Sequence, residues 1–256
     1  MSSRDILILD SETMPDTTYQ WSQFNNFTPI ERHIKRGYVA MWSAKFLNNK
    51  ELYTMNEWDD GRDKMIHGIH ELMSEAKVIV AHNGDRFDVK KMNTEFARLG
   101  LSRPDPFKTV DTLKVSRKSF SLFSHKLDFL CQYFNLGNKL QHDGFDMWVQ
   151  WMNGDRKAIT KMQRYCNNDV QIEQRLYMFL RQGGWITNHP VMIQAGVERP
   201  TCPTCKSTRV HKKDNPHMQN GRLYQRWQCK DCSQHLTSRY TDSTKSEMIN
   251  VLSIAK

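Results

Sequence analysis

The stretch ILILDSET, residues 6 to 13, ends an apolar run in two carboxylates, Asp10 and Glu12, separated by one serine. Strand side chains alternate faces, so residues two apart point the same way. Adjacent carboxylates repel and raise each other's pKa unless a cation or hydrogen bonds compensate, and a divalent metal would settle that conflict. Taken alone, the pair also fits a solvated loop after a strand. Two more stretches add acids: AHNGDRFD puts Asp88 just after a second apolar run, and YCNND puts Asp169 four residues after Tyr165, on one helix face. Farther on, CPTC (Cys202, Cys205) and CKDC (Cys229, Cys232) are two CxxC pairs with 23 residues between them. Four thiolates suit one tetrahedral Zn²⁺, and the loop between the pairs has room for a small hairpin; two exposed redox pairs are the other reading. His211, His217 and His235 are spare ligands.

The elements that must hold these residues follow from periodicity. GYVAMWSAKFLNNKELYTM alternates on both sides of Asn48 and Asn49 and reads as a hairpin. Met65, Ile66, Ile69, Leu72 and Met73 recur at helical spacing, and KVIVAHNG follows as a short buried strand. Val89, Met92, Phe96 and Leu99 mark another helix face, closed by Gly100. FKTVDTL supplies a fifth strand, and SHKLDFLCQYFNLG a helix capped by Ser124 and ended at Gly137. A region free of proline and glycine from Asp155 to Arg181 reads as a long helix. Three consecutive strands that pair antiparallel, then helix-linked strands that pair parallel, make an α/β fold with a mixed five-stranded sheet flanked by helices. Between Gln182 and Pro200 there are three glycines, two prolines and no period. The expected domains are therefore residues 1–182, a linker at 183–200, and a small cysteine module with a basic tail at 201–256.

Taken in order, LDSE with Asp10 and Glu12, NGDRFD with Asp88, and YCNND with Tyr165 and Asp169 resemble the three exonuclease motifs of the DEDD superfamily in its tyrosine-containing branch, DEDDy. HNGDRFD is similar to the second motif of the proofreading domains of B-family DNA polymerases. VDTLKVSRK, SHKLDFL and GDRKAITKMQRYCNNDV look like stand-alone DnaQ-like exonucleases, often encoded by bacteriophages. The resemblance covers residues 5 to 182. It implies an RNase H-like fold and a 3′-5′ exonuclease that releases nucleoside 5′-monophosphates from single-stranded nucleic acid, DNA favoured over RNA. It also implies Asp10, Glu12, Asp88 and Asp169 as ligands of two Mg²⁺ or Mn²⁺ ions, Asp10 bridging them, with Tyr165 orienting the attacking water. Hard oxygen donors suit those metals, and a pair of ions about 3.5–4 Å apart serves phosphodiester hydrolysis. The other reading of Tyr165 is a helix aromatic packed on the core. CPTCKSTRVHKK and GRLYQRWQCKDC resemble a zinc ribbon of the kind found in transposases and other DNA-acting proteins. A nucleic-acid-binding adaptor on this fold would have lost a carboxylate, and none is missing. A transposase-like strand transferase shares the fold and the ribbon but not the Tyr165 to Asp169 spacing.

Charge is unevenly placed. Residues 199 to 256 hold 11 Lys/Arg against 4 Asp/Glu, which is +7 of the chain's formal +9. That balance points to a polyanionic partner. Lys212, Lys213, Arg222 and Arg226, with Tyr224 and Trp227 among them, suit phosphates and bases; alternatively the rings fill the ribbon and the charges solvate it. A replication or recombination protein is a further partner class. No apolar run approaches a membrane span and MSSRDILILD meets an acid early, so the expected location is cytoplasmic, in a host cell if phage-encoded. Asp85 and Asp111 read as turn or capping residues, His82 as structural or substrate-side, and Phe87 as core rather than a base-stacking wedge.

Overall fold

The computed structural model describes residues 5–21, 27–141, 144–186, 200–203, 205, 207–219, 222–238 and 241. Contacts divide the chain into two units, one through Tyr177 and one from Met178 onward. The expected linker at 183–200 falls largely on 187–199, outside the described residues.

The first unit is built on β1 (Ile6–Thr13), whose residues Ile6 to Leu9 are buried on both faces because helices cover the sheet on each side. A two-stranded pair, β2 (Thr17–Thr18) and β3 (His33–Lys35), follows, with the 3-10 turn Ile30–Arg32 just before β3. Next come β4 (Val39–Phe46), β5 (Tyr53–Asn56), α1 (Glu57–Asp60), α2 (Arg62–Glu75), β6 (Val78–Ala81), α3 (Asp88–Arg98) and β7 (Lys108–Asp111). The main sheet has five strands in the order β5-β4-β1-β6-β7. β1 pairs antiparallel with β4 and parallel with β6, so the mixed sheet expected from the strand order forms.

Register explains where β1 opens. Its parallel pairing with β6 ends at Ile8↔Val80, while its antiparallel pairing with β4 continues through Asp10↔Ser43 and Glu12↔Met41. The carboxyl end of β1 therefore projects past its parallel neighbour, at the point where pairing changes sense. Open α/β sheets place ligands at such switch points. On one side of the sheet Leu7 and Leu9 pack with Met65, Ile66, Ile69, Met92 and Phe96 of α2 and α3.

The helices after β7 are α4 (Thr112–Ser119), α5 (Leu127–Tyr133), α6 (Asp146–Met152) and α7 (Arg156–Gln182). The fifth strand stops at Asp111 because that carboxylate accepts from Leu113 N and Lys114 N and caps α4, a helix the strand reading of FKTVDTL passed over. Ser124 is not the cap of α5. Lys126 holds that position without a side-chain bond, and Ser124 Oγ accepts from Lys126 N at 3.3 Å, two residues too early. α5 ends at Tyr133, and Asn135 rather than Gly137 takes the first left-handed turn (φ 56°). α7 starts where Asp155 accepts from Lys157 N (2.7 Å) and Ala158 N, and its face of Ala158, Ile159, Met162 and Cys166 packs with Met147 and Trp151 of α6.

In the second unit β8 (Val210–Lys212), β11 (Arg226–Cys229) and β12 (His235–Thr237) form a three-stranded sheet. A separate hairpin, β9 (His217–Gln219) with β10 (Arg222–Tyr224), occupies the loop between the CxxC pairs. No helix among the described residues is long and apolar enough to cross a membrane.

Candidate active site

Asp10, Glu12 and Asp169 offer carboxylate oxygens that all lie within 4.8 Å of one another. Asp10 and Glu12 come from the projecting end of β1. Asp169 comes from α7, which approaches on the Asp10 side: the Cys166 thiol, one turn before Asp169, donates to Asp10 Oδ2 at 3.4 Å. Burial pushes Asp10 well above the usual carboxylate range, and Glu12, Asp169 and Asp88 push it further. Burial and then Asp169 raise Glu12 to about 7. A cluster of acids held this close is electrostatically incomplete without a cation, and its all-oxygen donors fit Mg²⁺ or Mn²⁺.

Asp88 stands apart from that trio. Ser11, between the two β1 carboxylates, points to the opposite face, where its hydroxyl donates to Asp88 Oδ1 at 2.6 Å. Burial raises Asp88 to about 6, against the pull of the Ser11 hydrogen bond. Its charge still raises both Asp10 and Glu12. Asp88 opens α3 after a tight turn in which Asn83 has φ 66°. Gly84 is needed there, since a Cβ on it would fall 2.5 Å from the Ala81 Cβ.

A lysine offsets the cluster's charge in part, lowering Asp10 and Glu12, which burial and their neighbours still hold raised. Lys139 Nζ lies 2.5 Å from Asp169 Oδ2 and 3.1 Å from the Tyr165 hydroxyl. Two bonds pin its loop: Lys139 N donates to Asp128 Oδ1 at 2.9 Å, and Asn168 Nδ2 donates to the Asn138 carbonyl at 3.1 Å. The motif YCNND thus works residue by residue: Tyr165 meets Lys139, Cys166 meets Asp10, Asn167 accepts from Ser43 Oγ at 2.6 Å, Asn168 holds the Lys139 loop, and Asp169 joins the trio. Tyr165 is raised above the usual phenol range, first by burial and then by Asp169, so it stays protonated at neutral pH.

In the second unit the sulfurs of Cys202, Cys205, Cys229 and Cys232 also gather within 4.8 Å. Cys202 and Cys232 Sγ are 3.6 Å apart, and Cys205 and Cys229 Sγ 3.4 Å. A disulfide needs about 2.05 Å. A tetrahedral ion with bonds of about 2.3 Å sets its sulfurs about 3.8 Å apart, which these nearly match. The Cys202 thiol draws Cys232 down to about 4, whereas burial pushes Cys205 up to about 11. Lys212, Arg222 and Arg226 are exposed, while Lys213, Tyr224 and Trp227 are half-buried; Lys212 Nζ sits 5.4 Å over the Trp227 ring.

Residues 29–181 match the RNase_H superfamily. The chain belongs to that superfamily. Its fold is RNase H-like, and a structure of the family B DNA polymerase from the hyperthermophilic archaeon Pyrobaculum calidifontis has the same fold, with a TM-score of 0.51 at 19% identity over 72% of this chain and 26% of that one. Protein NEN3 of Arabidopsis thaliana is 26% identical over 137 residues, 53% of this chain and 24% of that protein. The chain thus spans about a quarter of the length of either relative.

Around this RNase H-like core the lesser candidates fall into place. Asp111 caps α4 and also accepts from Asn83 N, tying β7 to the Asp88 turn. Asp85 pairs with Lys114 at 2.6 Å. Burial lowers His82 to about 4, and it is structural: its Nδ1 lies 2.9 Å from Thr112 Oγ1 and its Nε2 3.0 Å from the His125 carbonyl. Phe87 is not core. As the residue before α3, with ψ −80°, it turns outward, 37% exposed, beside a surface hollow of about 230 Å³ lined also by Arg86, Lys90 and Lys91. Lys139 and Ser11 went unnoticed in the sequence. A lysine in a turn-rich loop carries no periodic signal, whereas Ser11 was legible in principle, since alternation sets it opposite its acidic neighbours.

Proposed function

We propose that the protein is a metal-dependent nuclease, of the DEDDy type, that removes nucleotides from the 3′ end of single-stranded nucleic acid, DNA favoured over RNA, and releases nucleoside 5′-monophosphates. The observation that carries this is the gathering of Asp10, Glu12 and Asp169 within 4.8 Å, with the Tyr165 hydroxyl bound to the Lys139 that contacts Asp169, in a chain of the RNase_H superfamily. In this reading two divalent ions, Mg²⁺ or Mn²⁺, would supply an activated water and neutralise the departing oxygen. Asp10, Glu12 and Asp169 would hold them, with Asp88, bonded to Ser11 of β1, as the fourth proposed ligand. Tyr165 keeps its proton and donates a hydrogen bond that orients the attacking water. Lys139 holds Asp169 and Tyr165 in register.

The proposed domains are an exonuclease at 1–182, a linker at 183–200, and at 201–256 a ribbon holding one structural Zn²⁺ through its four cysteines, with a basic surface for the substrate strand. Asp10→Ala and Asp169→Ala test the assignment: both should abolish cleavage with an unchanged circular dichroism spectrum, and normal turnover by either would refute it.

A further inference from the structure

Five aromatic rings touch in series on the first unit. Phe123, in the loop before α5, meets Phe129 at 6.4 Å between ring centroids, and Phe129 stacks on Tyr133 at 5.8 Å with planes 20° apart. Tyr133 meets Phe134 edge-on at 5.2 Å, and Phe134 meets Phe120 at 5.2 Å. Phe129 and Tyr133 are four apart on α5 and so share one face of it. The series is not core: Phe123 is 99% exposed and Tyr133 59%. A ring left in water gains nothing from folding, and a contiguous exposed apolar patch marks a surface that binds something.

The charge beside the rings says what. Arg117 and Lys118 close α4, Lys126 precedes α5, and all three are exposed. The acid of α5, Asp128, is engaged by Lys139 N at 2.9 Å and by Gln132 Nε2 at 2.8 Å. Exposed positive side chains within a few residues of exposed rings fit a polyanion that carries its own flat groups, which is a nucleic acid. An unpaired strand offers successive base faces to protein rings, whereas inside a duplex each face is covered by the next base pair.

Position ties the patch to catalysis. Asp128, which fixes the backbone of Lys139, is the residue before Phe129, and the Lys139 ammonium lies in the carboxylate cluster 2.5 Å from Asp169. α5 thus carries Phe129 and Tyr133 as well as the residue that fixes the Lys139 loop beside the cluster. We propose that Phe123, Phe129 and Tyr133, flanked by Arg117, Lys118 and Lys126, form a stacking platform for unpaired bases of the substrate strand upstream of the bond that is cut. The platform rests on the nuclease reading and specifies the substrate as single-stranded.

The test compares the intact protein with its Phe123→Ala/Tyr133→Ala variant, whose exposed positions leave the core untouched. Two substrates are used: a long single-stranded oligonucleotide and the p-nitrophenyl ester of thymidine 5′-monophosphate, which has one base. Lost stacking should lower kcat/KM on the long strand about fivefold or more relative to the ester, through KM. Phe123→Trp/Tyr133→Trp should restore it. A ratio unchanged by the alanine variant overturns the proposal, as does an equal loss on blunt duplex, where the rings have no unpaired bases to stack on. If the intact protein cleaves neither substrate, the nuclease reading fails instead. Quenching of 2-aminopurine in the bound strand then decides the platform by itself: quenching lost in the alanine variant supports it, and quenching retained overturns it.

Discussion

Replacing Glu12 by glutamine should make the protein less sensitive to pH when Mg²⁺ and Mn²⁺ are removed. Glu12 is raised from 4.5 to about 7 in the fold, by burial and by Asp169. Its folded value lies above its unfolded one, so the native state binds the extra proton. Stability is therefore present in full below about pH 4.5 and is lost as pH rises toward about 7. The interval corresponds to about 3 kcal/mol at about 1.36 kcal/mol per unit, and water reaching the half-buried side chain reduces this to about 2 kcal/mol. Denaturant unfolding at about pH 5 and about pH 8 measures it, followed by the fluorescence of the buried Trp42 and Trp151. Dialysis, not a chelator, should remove the loosely held ions, so that any thiolate-bound zinc stays. The metal-depleted wild type should lose about 2 kcal/mol more over this range than Glu12→Gln, and Mn²⁺ at about pH 8 should stabilise the wild type but not the variant. Equal pH dependence in the two proteins, or equal stabilisation by Mn²⁺, would refute the reasoning.

Lys139→Met should lower kcat about 10- to 100-fold at saturating metal, since it loosens both Asp169 and Tyr165; steady-state kinetics on a labelled strand would show it. The purified chain should carry one zinc by metal analysis, and Cys229→Ser should lose it and expose the ribbon to proteolysis. Changing Lys212, Lys213, Arg222 and Arg226 together to glutamine should flatten the plot of log affinity against log salt on single strands by up to about 3, at about 0.7 per phosphate contact; an unchanged slope would mean that these charges only solvate the ribbon.

The parts of the molecule legible in its sequence were those that obey a period. Alternation placed Asp10 and Glu12 on one face, and four-residue spacing placed Tyr165 and Asp169 on another, so the two elements that carry the trio could be named in advance. Asp111 reads as a cap and is one, but the strand reading of FKTVDTL runs past it and hides α4, which begins at Thr112. Phe87 looked like core by type, yet its place at the entrance of α3 turns it outward. Lys139 was beyond reach because two side chains distant in sequence, Asp128 and Asn168, fix its loop. The RNase_H superfamily match spans 29–181 and so leaves out β1, whose two acids are singled out by their alternation onto one face together with the resemblance of LDSE to the first exonuclease motif.

The central claim is that Asp10, Glu12 and Asp169 hold metal for cutting a strand from its 3′ end. The direct measurement is a time course on 5′-labelled single-stranded DNA and RNA with Mg²⁺, Mn²⁺ or neither, with Asp10→Ala run alongside. The account predicts a metal-dependent ladder that shortens from the 3′ end, faster on DNA and absent in the variant. Intact strands that remain bound to the protein in the presence of either metal would contradict it.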